Sequence, residues 1–333
     1  MTEKIFCLKP RYVDDFKCDG SKCDAQCCRN AWNIYVDAKT YEKYFALGIA
    51  QHLRRSGEHW QIAPNAENCC PFLGADNLCR IQKAHSENYL SQVCASYPRI
   101  VTRFGNFLEV ALSPTCPVAA EMFLLSDAPL KFTLVEADEK LLRLGVNNIL
   151  QGISLEFTPL IVEIQLAMIS ILQERRLSID GRLIVLGFFL DRVEELLTSG
   201  KLDDAALKRL TAVYSSENFL SGQVPLMLSA VRFDSTRKIL PAEFATVAEN
   251  FLVNEIILNA FPWRIDAGIT KNFGVFLTIY KILARQLQID DPLRAARDLS
   301  QKINHGDEIT LIAAKINAGD MLTLLEKFFG AEG

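Results

Sequence analysis

All ten cysteines of the 333-residue chain lie between Cys7 and Cys116, and residues 117–333 contain none. No other feature constrains the fold as much, because sulfur chemistry can hold a segment that its apolar core alone cannot. Cys18, Cys23, Cys27 and Cys28 form one group, and Cys69, Cys70, Cys79, Cys94 and Cys116 follow after a gap. A lone free cysteine is ordinarily a small buried hydrophobe. Two adjacent pairs and a closely spaced group of four go beyond that and point to metal or thiol chemistry. Thiolates bind iron–sulfur clusters or zinc, and ligands drawn from distant segments tie a weakly cored region together.

Spacing narrows the chemistry without settling it. Zinc ribbons offer two Cys-x-x-Cys knuckles, and this chain has none. Cys23 and Cys27 have the spacing that opens a radical S-adenosylmethionine (SAM) motif, but Asn30 stands where its third cysteine belongs. Neighbours such as Cys27 and Cys28 strain to reach one metal together, so one of each adjacent pair is free for a second role. His85 reads as a solvated or hydrogen-bonded loop residue rather than a ligand.

Residues 1–130 carry 14 basic and 14 acidic side chains, so the formal charge of -4 arises beyond them, and no basic face for nucleic acid is expected. The apolar runs Pro159–Leu172 and Leu183–Leu190 are interrupted or short, and neither predicts a membrane span. Charged residues break up the N-terminus MTEKIFCLKPRY, which lacks the apolar stretch of a secretory signal. The expected compartment is the cytosol, whose reducing poise argues against disulfides.

Asp37 is an expected N-cap for a helix ending near Gly57, with Gly57–Asn68 a loop beyond it. Ile100–Phe104 and Phe107–Leu112 flank Gly105-Asn106 and predict a β-hairpin. Pro117 opens a helix, and helical patterns follow over 158–177, 180–198, 202–213, 242–261, 270–288, 292–303 and 307–329. The expected fold is mainly α: a bundle-like helical region, 131–333, behind a cysteine-rich, cluster-binding module, 1–130, that carries the hairpin.

Residues Phe16–Cys28, Cys70-Pro71-Phe72-Leu73, Leu78–Gln82, Tyr89-Leu90-Ser91, Cys94–Arg99 and Leu112–Pro117 occur in an order that resembles the bacterial flagellin lysine-N-methylase family. Glu249–Glu255 and Phe261-Pro262 extend the likeness into the helices. The resemblance implies a SAM-dependent methyltransferase acting on lysine ε-amino groups of flagellin, with an iron–sulfur cluster of the 4Fe-4S type in the cysteine module. The matching cysteines are Cys18, Cys23, Cys27, Cys28, Cys70, Cys79, Cys94 and Cys116, four of which would hold the cluster, with zinc as the alternative metal.

Methyl transfer to an amine needs alignment and a deprotonated nucleophile more than an elaborate catalyst. Tyr97 and Glu109 are the candidates to engage the lysine, although a strand carboxylate is ordinarily solvated. No glycine-rich strand-to-helix fingerprint is present, so SAM is expected at the junction of module and helices. Asn250 and Asn254 share a helix face suited to reading adenine or a carboxylate, though buried amides are usually satisfied internally. Trp32 and Arg99 are tethered beside cysteines, as pocket walls for SAM or as a dry shell around the metal. The competing reading is a non-catalytic zinc or iron–sulfur protein, structural or redox-sensing, with a helical interaction scaffold.

Overall fold

The computed structural model describes residues 4–20, 22–29, 33–151, 155–236, 239–264, 267–305, 308–316 and 319–331, so Trp32 lies outside the described residues. Among them, eight strands form two sheets: β1 (Phe6–Pro10), β2 (Tyr35–Val36), β3 (Leu53–Ser56), β4 (His59–Ile62), β5 (Arg99–Phe104), β6 (Phe107–Leu112), β7 (Phe132–Glu136) and β8 (Asn148–Ile149). The larger sheet has the order β7-β1-β6-β5-β8 and the smaller β2-β4-β3.

The expected hairpin is β5 and β6, antiparallel, with Phe104 opposite Phe107. Gly105 is required there twice over. Its φ is +52°, and a Cβ would stand 2.7 Å from Thr158 Oγ1 at the start of a helix. β6 is buried along its whole length, as a strand covered on both faces must be. β1, invisible as a strand in the sequence, runs parallel to β6 and antiparallel to β7.

Helices Thr158–Leu172, Ile179–Thr198, Asp204–Tyr214, Ala245–Leu258, Ile269–Gln286, Pro292–His305, Glu308–Lys315 and Met321–Phe329 make the protein mainly α. Every residue from Val247 to Leu258 is buried, so the Ala245–Leu258 helix is the central one, packed against β6 and against helices Pro117–Leu124, Thr158–Leu172 and Ile269–Gln286. Its buried Glu249 is held by Arg182 at 2.6 Å and Arg175 at 2.8 Å. Among the described residues no helix is long and apolar enough to cross a membrane.

One continuous core runs from Leu8 and Val110 through Phe123, Ile164 and Phe251 to Tyr280 and Leu325. A second, much smaller core gathers Ile34, Val36, Tyr44, Leu53, Ile62, Phe72 and Ile81, with Cys70, Cys79 and Cys94 packed against it. Packing therefore does not divide the chain at residue 130: β7 lies beyond that point yet pairs with β1, and both belong to the larger sheet. The separately cored unit spans roughly residues 34–94.

Three expected boundaries are corrected. Asp37 does cap a helix, accepting from Thr40 N at 2.9 Å, but the helix ends at Ala46 rather than near Gly57. Gly48, at φ +66°, ends it: Ile49 N donates to Tyr44 O and Gly48 N to Phe45 O, the paired bonds of a Schellman stop. The expected loop over 57–68 instead holds β4 after a turn at Gly57 and Glu58, and in that strand Trp60 stacks on Tyr41 at 4.6 Å and receives Arg55 on its ring. The last expected helix is two, Glu308–Lys315 and Met321–Phe329, the second capped by Asp320.

Candidate functional site

A single helical turn, Gln26–Arg29, presents Cys27 and Cys28 in succession. Successive residues on a helix point about 100° apart, so the two thiols leave in different directions. Cys28 nevertheless touches both Cys27 and Cys70, and Cys70 N donates to Cys28 O at 2.7 Å. Cys70 and Cys79 are brought together because their segments lie side by side: Leu73 bridges Cys79, and Arg80 N donates to Phe72 O at 2.9 Å. Cys94 sits on the short Gln92–Ser96 helix, and Cys116 precedes Pro117 at the start of its helix.

Cys18, Cys23, Cys27 and Cys116 line a cavity of about 30 Å³ together with Tyr97. Contact with Cys28 draws the Cys27 and Cys70 thiols down, whereas Cys28, the shared donor, is pushed up. Burial raises Cys94 to about 12 and Cys116 to about 11. Buried thiols kept protonated for want of a countercharge are the donor set that a soft cation converts to thiolates. The donor chemistry therefore fits an iron–sulfur or zinc centre. Among the described residues no three Cys, His, Asp or Glu side chains stand grouped as metal ligands.

The other expected site residues are placed as follows. The Tyr97 hydroxyl lies 3.1 Å from Thr115 Oγ1, and burial lifts its pKa, so it serves as a neutral hydrogen-bonding group. Arg99 donates to Phe16 O at 3.0 Å and lies over the Phe16 ring, clamping the segment that leads to Cys18. Glu109 is no solvated strand carboxylate: it is 1% exposed, and among the described residues neither carboxyl oxygen has a hydrogen-bond partner. Burial pushes its pKa well above the usual range, with the Gln165 side chain opposing the shift.

Asn250 donates to Leu124 O and Ser126 O, at 3.2 and 2.9 Å, and so caps the carbonyl end of the Pro117–Leu124 helix. Asn254 donates to Leu112 O at 3.2 Å and accepts from the Tyr12 hydroxyl. Both amides thus tie the central helix to the chain on either side of Cys116.

Two polar features escaped the sequence reading. Glu255, fully buried next to Asn254, is raised to about 7 by burial, against which Arg264 and Asn259 act. A cavity of about 340 Å³ opens between the Thr158–Leu172 and Asp204–Tyr214 helices, lined by Glu163, Ser170, Glu174, Thr211, Tyr214 and Phe219 among others. Its lining comes from several helices and shows no local motif; Glu163 is the one charged residue on the Thr158–Leu172 helix.

The C-terminal domain of FliB lysine N-methylase matches residues 165–240, which hold all of the large cavity's lining except Glu163. A lysine-N-methylase of Salmonella choleraesuis is 30% identical over 87% of this chain and 74% of its own length. One of Salmonella typhimurium is 30% identical over 71% of this chain and 59% of its own. The flagellar biosynthetic protein FliU of Salmonella muenchen is 36% identical over 34% of this chain and 75% of its own. No solved structure matches. With a relative 30% identical and matched over most of both chains, this chain belongs to the FliB lysine N-methylase family.

Proposed function

We propose that the protein is a lysine N-methyltransferase of the cytosol that moves a methyl group from SAM to lysine ε-amino groups of flagellin, with a cysteine-ligated iron–sulfur cluster in its N-terminal module. The observation that carries this reading is the coincidence of the 340 Å³ cavity with the family's C-terminal segment. Its volume lies within the range of small-molecule sites.

SAM, when bound, supplies an electrophilic methyl carbon: the amine lone pair forms the new N–C bond as the C–S bond breaks, and sulfur keeps the electron pair. The chain's own task is to deliver a neutral, aligned amine. The carboxylates of Glu163 and Glu174 attract the incoming ammonium, while the apolar lining of Leu166, Ala167 and Phe219 desolvates it and lowers its pKa. Glu174 is held in its charged form by Arg176. Glu163 takes the proton that the ammonium loses. Burial keeps the Tyr214 hydroxyl protonated, so its oxygen accepts an amine N–H and fixes the direction of the lone pair. The thiols of the module would hold the cluster, whose contribution is to cross-link a weakly cored segment.

The test is anaerobic incubation with SAM and unmodified flagellin, followed by mass spectrometry of flagellin lysines. Methylated lysines are expected, and Glu163→Gln should lower kcat/KM about a hundredfold, the usual scale for a lost proton acceptor, with iron content unchanged. No methyl gain by the metal-loaded protein would overturn the reading. A brown anaerobic preparation distinguishes an iron–sulfur cluster from colourless zinc.

A further inference from the structure

We infer that Tyr214 sets the ceiling on how many methyl groups one lysine receives: its hydroxyl must accept an N–H from the reacting amine, so dimethyllysine, which has none when neutral, is refused. The inference rests on the reading of the large cavity as the lysine site and deepens it. Tyr214 lines that cavity within the segment matched by the family's C-terminal domain. Among the described residues its hydroxyl forms no hydrogen bond within the protein, which leaves the oxygen to a ligand. The other hydroxyls of the lining differ. Thr211 and Ser215 turn theirs to backbone carbonyls, Lys208 O at 3.1 Å and Thr211 O at 2.8 Å, and Ser170 is exposed.

The ring that carries this hydroxyl is clamped. Phe189 meets it edge to face at 5.2 Å and Phe219 packs on it at 4.4 Å, and these two rings are only 0% and 3% exposed. A methyl group placed where the N–H belongs therefore presses on an oxygen with no room to retreat. Each transfer forms one N–C bond as the C–S bond of SAM breaks and sulfur keeps the electron pair. The alkylated nitrogen then sheds a proton to Glu163, which is half-buried and passes it to water. Neutral lysine has two N–H groups, monomethyllysine one and dimethyllysine none. With its lone pair aimed at the methyl donor, dimethyllysine turns a methyl group on the Tyr214 oxygen. Its alternative, accepting the tyrosyl proton on that lone pair, leaves the nitrogen unable to attack.

The full chain and its Tyr214→Phe variant, purified anaerobically, are incubated with SAM and one of two substrates: unmodified flagellin, or flagellin whose lysines have been dimethylated by reductive alkylation. Mass spectrometry reads the methyl number at each lysine. The wild type should methylate the first substrate and leave the second unchanged. Tyr214→Phe keeps the ring in its clamp and removes the oxygen, so it should convert dimethyllysine to trimethyllysine. Trimethyllysine made by the wild type, or a folded variant that refuses dimethyllysine as the wild type does, overturns the assignment. If Tyr214→Phe loses its native circular dichroism, Phe219→Leu decides in its place: it frees one side of the ring and should admit dimethyllysine, and refusal overturns the assignment equally. A wild type that methylates neither substrate overturns the underlying reading of the cavity as a lysine site.

Discussion

The small core around Tyr44 and the large core around Phe251 belong to one chain but are stabilised in different ways. The large one buries whole helices, and its few polar groups are mostly paired within it, as Glu249 is by two arginines. The small one has seven buried apolar side chains, fringed by half-buried cysteines. Burial scales unfavourably for so small a unit, and the cross-linking proposed for its cysteines would supply what apolar area does not.

The strongest way to break this contrast is to remove the metal proposed for the module. Chelation under anaerobic conditions should expose residues 34–94 to hydrogen exchange while the helices from Thr158 onward stay protected. Structural metal sites contribute on the order of 10 kcal/mol of apparent folding energy, the largest effect expected here. Uniform protection after chelation would show that the small core stands alone.

In the helical region the largest single loss should come from Arg182→Ala, which leaves Glu249 buried with only Arg175. Both Arg182 and Glu249 are at most 5% exposed on their side chains. Breaking such a pair costs about 3–5 kcal/mol, readable as a lowered urea midpoint. The same change should leave the metal content of the module untouched.

Glu255 gives the helical region a pH dependence of predictable sign. Its folded pKa is raised from 4.5 to about 7, so folding favours the protonated acid. Its stabilising contribution is complete below the unfolded value and is lost as pH rises through about 7. Complete loss corresponds to about 3 kcal/mol. Urea titrations at pH 5 and pH 8.5 should show the decline, and Glu255→Gln should flatten it.

The smallest effects sharpen the comparison best. Asp37 and Asp320 cap one helix in each region, through Thr40 N at 2.9 Å and Thr323 N at 2.8 Å. Alanine at either position should cost about 1 kcal/mol. Asp37→Ala should speed local opening of the cysteine module, and Asp320→Ala should lower only the Tm of the helical region.

Much of the architecture could be read from local pattern. Gly105-Asn106 between apolar runs specified the β5–β6 turn, and Asp37 specified a helix start, because both depend on neighbours within a few residues. β1 was not legible, since Phe6–Pro10 becomes a strand only by pairing with β6 and β7, about a hundred residues away. Glu109 misled for a related reason: alternation marks a half-exposed strand, whereas β6 is covered on both faces. At Asn250 and Asn254 the helix face was legible but the partners were not. Those partners are carbonyls exposed by the end of another helix and the end of β6.

By itself the sequence determined the placement of the cysteines and the family, because residue type and order along the chain carry both. It also determined the mainly helical class, which follows from short-range periodicity. Tertiary structure alone decided that the β-sheet joins the helical core across residue 130, that Cys18, Cys23, Cys27 and Cys116 line one cavity, and that a larger cavity opens between the Thr158–Leu172 and Asp204–Tyr214 helices. Each of these depends on segments far apart in the chain meeting in space, and no local pattern encodes such meetings.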